Sequence, residues 1–154
     1  PSALALTRQT LKELPKSKIQ NENINKGGYI VFGSSNKPDG IIIASGSEVS
    51  IALQAAMELK DKDLDIRVIS MPCQEVYERQ STAYKNKCIP KNFDNILAVE
   101  SGKGQSWFKY TGKEGSMITM ESFGLSGTGN DVMRYFGFTV ANIKKQMQKL
   151  INRK

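Results

Sequence analysis

Histidine is absent from the 154 residues, and cysteine occurs only twice, at Cys73 and Cys88. A structural zinc site takes about four Cys, His or carboxylate ligands, so the sequence argues against one. A cysteine nucleophile needs a neighbouring base, usually an imidazole, and none is available for Cys73. We therefore interpret Cys73 as a small buried or half-buried thiol. Two isolated cysteines fit a reducing compartment, so we expect a cytoplasmic protein.

Long apolar runs are also missing. The longest, such as Ile41–Ala44, have the length of a strand and fall far short of the roughly 20 residues that span a bilayer. The N-terminal residues lack the basic and then apolar pattern of a signal peptide. We expect no membrane partner.

The chain does not begin with methionine, which suits an excised or processed piece of a larger protein.

The formal net charge of +7 raises the question of a nucleic-acid partner. Basic residues are spread along the sequence, apart from a C-terminal group at Lys144, Lys145, Lys149, Arg153 and Lys154. Proteins that bind single strands interleave aromatic and basic residues, and this group contains no aromatic residue. We interpret it as the solvated face of a helix and expect no nucleic-acid partner.

Strand and helix signals alternate from residue 27 onward. The segments that predict strands are Tyr29–Phe32, Ile41–Ala44, Ile66–Ile69, Ile96–Val99 and a possible edge strand, Met117–Met120. Connections of about ten or more residues between buried strands imply right-handed crossovers and parallel pairing. We predict an α/β fold, a three-layer αβα sandwich around a mostly parallel, about five-stranded mixed sheet.

Helix signals fall between these strands. Ser47 is the predicted N-cap of the first long helix, and residues 73–88 suggest short helices. A helix over Asp131–Phe136 should end at Gly137, and Thr139 should cap the last helix. The apolar stripes of the two long helices are Val49, Ala52, Leu53, Ala56 and Leu59, and Val140, Ile143, Met147, Leu150 and Ile151.

Residues 1–26 differ from the rest in composition. Ala3–Leu6 predicts a short strand, and the polar segment Lys12–Lys26 predicts a linker or exposed loop. We expect the domain proper to begin near Gly27.

Four turns are candidates for a ligand site, because open parallel sheets bind ligands at the carboxyl ends of their strands. Ser45–Glu48 could offer backbone N–H groups to an anion, although a tight turn with an N-cap is favoured. Ser70–Cys73 carries the thiol discussed above. Glu100–Gly104 could form a site around its carboxylate, or could be a loop that lets Trp107 pack on the sheet. Ser122–Gly129 could cradle a phosphate, or could be a flexible connection.

No pair of carboxylates is obviously placed for acid–base chemistry, and no cluster of metal ligands stands out. The residues alone predict a soluble α/β domain with no self-evident active site, which resembles a part of something larger. The Gly/Ser turns and the positive charge leave a second hypothesis open, a stand-alone anion- or nucleotide-binding module.

Several stretches, in order and at matching spacing, resemble the C-terminal domain of transketolases. They are Leu6-Thr7-Arg8-Gln9, Ala44-Ser45-Gly46-Ser47-Glu48-Val49, Val68-Ile69-Ser70-Met71-Pro72 with Glu75, Gln80 and Tyr84, Val99-Glu100 with Trp107, Lys109, Tyr110 and Gly112, Phe123-Gly124-Leu125-Ser126, and Phe136-Gly137-Phe138-Thr139. Together they cover nearly the whole chain.

The resemblance implies a protein of the pentose phosphate pathway that transfers a two-carbon ketol unit between sugar phosphates. In that family thiamine diphosphate and Mg²⁺ or Ca²⁺ lie between the N-terminal and middle domains of two subunits. Residues 1–26 would then be the end of the preceding pyrimidine-binding domain plus a linker, and residues 27–154 the C-terminal domain.

The same resemblance implies that this chain holds no catalytic residue, cofactor or metal ion. Arg8 takes the position whose guanidinium holds the sugar phosphate, which suits the planar fork of arginine. We expect the chain to be structural, interdomain and dimer-supporting, and inactive alone. Its expected partners are the missing N-terminal and middle domains, a second subunit of a homodimer, and sugar phosphates.

Overall fold

The computed structural model describes residues 3, 6, 7, 9–11, 13, 14, 23–33 and 37–153. Its strands are β1 Tyr29–Phe32, β2 Gly40–Ala44, β3 Ile66–Ser70, β4 Ile96–Glu100 and β5 Ser116–Thr119. Its α-helices are α1 Glu48–Lys60, α2 Gln74–Glu78, α3 Thr82–Cys88, α4 Phe108–Thr111, α5 Gly129–Tyr135 and α6 Val140–Ile151, with 3₁₀ turns at Ile24–Lys26 and Gly104–Trp107. Residues 4 and 5 of the predicted strand at Ala3–Leu6 and most of the predicted linker lie outside the described residues, so both stay predictions.

The sheet is mostly parallel and has the strand order β1-β3-β2-β4-β5. Strands β2 to β5 pair in parallel, and β1 runs antiparallel to β3 at one edge. The other edge is β5, which confirms the expected edge strand with its start one residue earlier. The prediction of a five-stranded mixed sheet is therefore confirmed.

Side chains of the central strand β2 point alternately into two separate cores. Ile42 and Ala44 belong to the core that contains the buried faces of α1 and α6. Ile41 and Ile43 belong to the core on the other face of the sheet, which contains residues of α2, α3 and α4. All five β2 residues are buried, as the apolar run predicted. Helices on both faces give the three predicted layers.

The two long helices bury the faces that their sequences indicated. The predicted stripe of α1 is buried throughout, and Ala55 joins it. In α6, Ile143, Met147 and Leu150 are buried, while Val140 and Ile151 pack at the margin of the same core. The Thr139 hydroxyl accepts a hydrogen bond from the Asn142 N–H at 3.2 Å, which confirms the predicted cap.

Helix α5 begins two residues earlier than predicted. The Thr128 hydroxyl accepts from the Asp131 N–H at 3.3 Å and so serves as its N-cap. The helix ends at Tyr135, one residue before the predicted end at Phe136, and Gly137 then has a left-handed φ of 83° that a side chain would disfavour. The N–H of the next residue, Phe138, donates back to the Met133 carbonyl, and the Phe138 side chain is buried.

Strand β3 carries a buried positive charge. Arg67 is 3% exposed, and its Nη1 donates to the carbonyls of Lys87 at 2.9 Å and Cys88 at 2.7 Å. These carbonyls belong to the last turn of α3, where a helix has no further N–H groups of its own to bond them. The guanidinium thus joins α3 to the sheet.

The described residues contain no helix that is both long and apolar enough to cross a bilayer.

Candidate functional site

The four predicted turns meet at one edge of the sheet. They follow β2, β3, β4 and β5, which are parallel, so their carboxyl ends lie on the same side. The order of the strands places the turn after β2 between those after β3 and β4. This edge is where a ligand of an open α/β sheet would bind.

The turn after β2 forms the start of α1 in an unexpected way. Ser47 occupies the N-cap position, but its hydroxyl accepts no capping bond and instead donates to Glu48 Oε1 at 2.8 Å. The prediction of Ser47 as a capping side chain was therefore wrong. The Glu48 N–H donates instead to the Ser45 carbonyl at 3.2 Å.

Glu48 and Glu100 form a pair of carboxylates that was not evident in the sequence. Glu48 is only 3% exposed, and Glu100 ends the neighbouring strand β4. Burial raises the pKa of Glu48, the hydrogen bond from Ser47 opposes this rise, and the nearby Glu100 charge adds to it. The two residues are far apart in sequence and become neighbours only through the pairing of β2 with β4.

Glu100 is held by the protein itself. Its Oε2 accepts from the Ser45 hydroxyl at 2.8 Å, and its Oε1 accepts from the Gly102 N–H at 2.9 Å. The hydroxyl and the N–H that could have faced a ligand are thus used to join the turns after β2 and β4. Two carboxylates at this edge also repel phosphate, which counts against an anion site here.

The turns after β4 and β5 are tied together by Glu121. Its Oε1 accepts from the Thr119 hydroxyl at 2.9 Å and from the Gly104 N–H at 3.1 Å, and these bonds lower its pKa. Lys103 Nζ donates to the Glu121 carbonyl at 2.8 Å. Trp107 is 3% exposed in the core, which confirms the interpretation of this loop as one that lets it pack.

The turn after β3 is structural as well. The Cys73 N–H donates to the Gly27 carbonyl at 3.0 Å, and the half-buried Cys73 Sγ lies 3.5 Å from Glu75 Oε2. The groups of this turn are thus bonded to the protein itself.

A groove of about 470 Å³ lies between α1, α5 and an upstream segment, and reaches the turn after β2 at Ser47. Its lining mixes polar and apolar side chains and includes Gln9, Thr10 and Leu11. Arg8, the predicted phosphate-binding residue, lies outside the described residues, so its role stays a prediction. Within the described ranges, no group of three His, Cys, Asp or Glu side chains is placed to hold a metal ion.

These observations define a class: an α/β domain whose strand-end turns are bonded to one another. A family model described as "Transketolase-like TK C-terminal domain" matches residues 27–139. The chain belongs to this family of transketolase C-terminal domains.

Individual relatives agree with the family. The chain is 39% identical to the transketolase of Bacillus subtilis, over 99% of this chain and 23% of that protein. It is 38% identical to the transketolase of Aquifex aeolicus, over 96% of this chain and 22% of that protein. A Pichia stipitis transketolase crystallised with sedoheptulose-7-phosphate superposes with a TM-score of 0.82 at 33% identity, covering 94% of this chain and 20% of that one. The chain thus spans less than a quarter of these relatives.

The residues present do not fit the cofactor and metal ion that the family implies. A diphosphate would meet the carboxylates of Glu48 and Glu100 at the strand ends, and these carboxylates already accept hydrogen bonds from Ser47, Ser45 and Gly102. The part of the chain that the structure describes offers no third ligand beside them. No chemistry through thiamine diphosphate is therefore assigned to this domain.

Proposed function

We propose that this chain is the C-terminal domain of a thiamine diphosphate-dependent transketolase and that it catalyses no ketol transfer alone. The observation that carries the proposal is the internal bonding of the strand-end turns. Glu100, Glu121 and Ser47 each hold protein groups there. The chain belongs to a family of C-terminal domains, so in this proposal the reactive groups lie on the other domains of the complete protein.

The complete protein, in this proposal, moves a two-carbon unit between sugar phosphates of the pentose phosphate pathway, with Mg²⁺ or Ca²⁺ as the metal ion. The relative from Pichia stipitis was crystallised with such a sugar phosphate, which supports this substrate class. The proposed protein is a cytoplasmic homodimer, and this domain contributes to contacts with the N-terminal and middle domains. Sedimentation of the complete protein should give the mass of two subunits.

Arg8 is the one substrate-binding residue proposed in this chain. A guanidinium can form two parallel hydrogen bonds with a phosphate, each worth about 1.5–3 kcal/mol. Glutamine can keep one of these two bonds, so in the complete protein Arg8→Gln should raise KM for phosphorylated substrates by about ten- to a hundredfold and spare unphosphorylated ones. Arg153→Gln is the matched control, because Arg153 is exposed and donates to the Glu114 carbonyl.

Activity measurements test the main proposal directly. The isolated chain and the complete protein are each given thiamine diphosphate, Mg²⁺ and sugar phosphates, and sedoheptulose 7-phosphate is measured. We expect product from the complete protein and none from the isolated chain. Turnover by the chain alone would overturn the proposal, and so would a complete protein that forms no product.

A further inference from the structure

The residues on either side of Arg8 lie in a segment without regular secondary structure. Among the described residues from 3 to 14, none belongs to a helix or a strand. A backbone of this kind has no ladder of hydrogen bonds that fixes its dihedral angles. Every residue that becomes ordered only when a ligand binds weakens the binding, because conformational entropy is lost. The affinity of Arg8 for a phosphate therefore depends on what holds the backbone around it.

One hydrogen bond closes a turn around position 8. The Gln9 N–H donates to the Thr7 hydroxyl at 3.2 Å. A threonine side chain that accepts from the N–H two residues further on takes the place of a backbone turn. Arg8 stands between the acceptor and the donor in the sequence. The bond therefore restricts the stretch of backbone from which the guanidinium is presented.

The turn is held on its C-terminal side by the domain itself. The Gln9 Nε2 lies 3.9 Å from the position of a methyl group built on Gly129, the first residue of α5. Gln9, Thr10 and Leu11 line the groove beside α1 and α5. Leu14 packs against the core that contains the buried faces of these long helices. The Thr7–Gln9 turn thus stands on a fixed support.

The bond has little to contribute to the stability of the whole domain. Thr7 and Gln9 are both exposed, and a bond between exposed groups replaces equivalent bonds to water. Its effect is local, since it selects one direction of the chain at position 8. A group with a small effect on folding and a local effect beside a binding residue is suited to positioning that residue.

We infer that Thr7 is a positioning residue for Arg8: its hydroxyl closes the Thr7–Gln9 turn and presets the backbone that carries the phosphate-binding guanidinium. The inference rests on the proposed function, from which it takes the role of Arg8. Preorganisation of this kind raises affinity without a new contact to the ligand. Thr7 touches no substrate in this account, so its loss weakens only the binding in which Arg8 takes part.

Steady-state kinetics of the complete protein test the role of Thr7. The donor is sedoheptulose 7-phosphate or sedoheptulose, with one unphosphorylated aldose as the common acceptor. Thr7→Val keeps the shape of the side chain but accepts no bond, so KM for the phosphorylated donor should rise about three- to tenfold. The kcat, and KM for the unphosphorylated donor, should stay within about twofold. Thr7→Ser retains a hydroxyl and should keep the original KM.

A matched control and a double mutant exclude a general effect on the segment. Thr10→Val makes the same change at an exposed threonine in the groove and should leave both KM values within about twofold. In the Arg8→Gln background, Thr7→Val should have no further effect, because residues that act through one contact are not additive. The Tm of the isolated chain should change by less than about 1 °C in Thr7→Val.

The outcomes separate the inference from the proposed function. An equal rise in KM for both donors, or a rise that persists in full in the Arg8→Gln background, would overturn the inference, because Thr7 would then act on the fold. If Arg8→Gln raises KM for the phosphorylated donor and Thr7→Val does not, only the positioning role fails. If Arg8→Gln leaves that KM unchanged, the role of Arg8 fails and the positioning role fails with it. A complete protein without activity overturns both.

Discussion

Replacing Arg67 by methionine measures how strongly the buried guanidinium joins α3 to the sheet. The change keeps an unbranched apolar stem but removes both hydrogen bonds to the Lys87 and Cys88 carbonyls. Hydrogen bonds from a charged donor contribute about 1.5–3 kcal/mol each, so the loss is about 3–6 kcal/mol. Methionine avoids the cost of burying a cation, which offsets part of that loss. We expect a net decrease of about 2–4 kcal/mol in the free energy of unfolding.

Urea denaturation and calorimetry give the two readouts. For a domain of this size, 1 kcal/mol corresponds to about 2–4 °C, so the Tm should fall by about 4–16 °C. The matched control is Arg153→Met, since Arg153 also donates to a carbonyl at 2.7 Å but is exposed. Its effect should stay within about 0.5 kcal/mol. A decrease below about 1 kcal/mol for Arg67→Met, or a gain, would show that desolvation outweighs the bonds and would refute the reasoning.

Four further substitutions have defined outcomes. Glu48→Gln should raise the Tm at neutral pH, because a raised native pKa means that stability falls as pH rises above the unfolded value of about 4.5; the gain should vanish below that pH in melting curves. Gly115→Ala should cost about 1–3 kcal/mol in urea denaturation or prevent folding, since its methyl would lie 2.4 Å from the Thr111 carbonyl oxygen, and an unchanged midpoint would contradict this. Thr139→Ala should cost about 1 kcal/mol while Ser47→Ala costs less, and equal losses would show that the difference in capping has no energetic weight.

The elements of the fold were predictable because their signals are local. The unbroken apolar run of β2 and the stripes of α1 and α6 follow from burial on both faces of a sheet or on one face of a helix. The cap of α6 at Thr139 was equally local. Boundaries shifted where side-chain bonds decided them, as at Thr128, whose bond to Asp131 extends α5 toward the N-terminus.

The contacts of the candidate site were not predictable, because they depend on which strands are neighbours. Glu48 and Glu100 belong to segments that look unrelated in sequence, and only the pairing of β2 with β4 makes one carboxylate perturb the other. Ser47 illustrates the same point at short range. Its hydroxyl was expected to cap α1, but the buried Glu48 is a stronger acceptor for it. The burial of Arg67 could not be predicted from the sequence, because charged residues in strands are usually exposed.

The alternation of side chains along β2 has a consequence for how the domain unfolds. Ile42 and Ile43 are consecutive residues, yet each is a fully buried member of a different core. If the helices on one face separate from the sheet, β2 loses the contacts of every second side chain while the others stay packed. A strand with only half of its contacts is not stable, so the second core should be lost as well. Heat or denaturant should therefore unfold both cores together, in a single cooperative transition without a populated partly folded state.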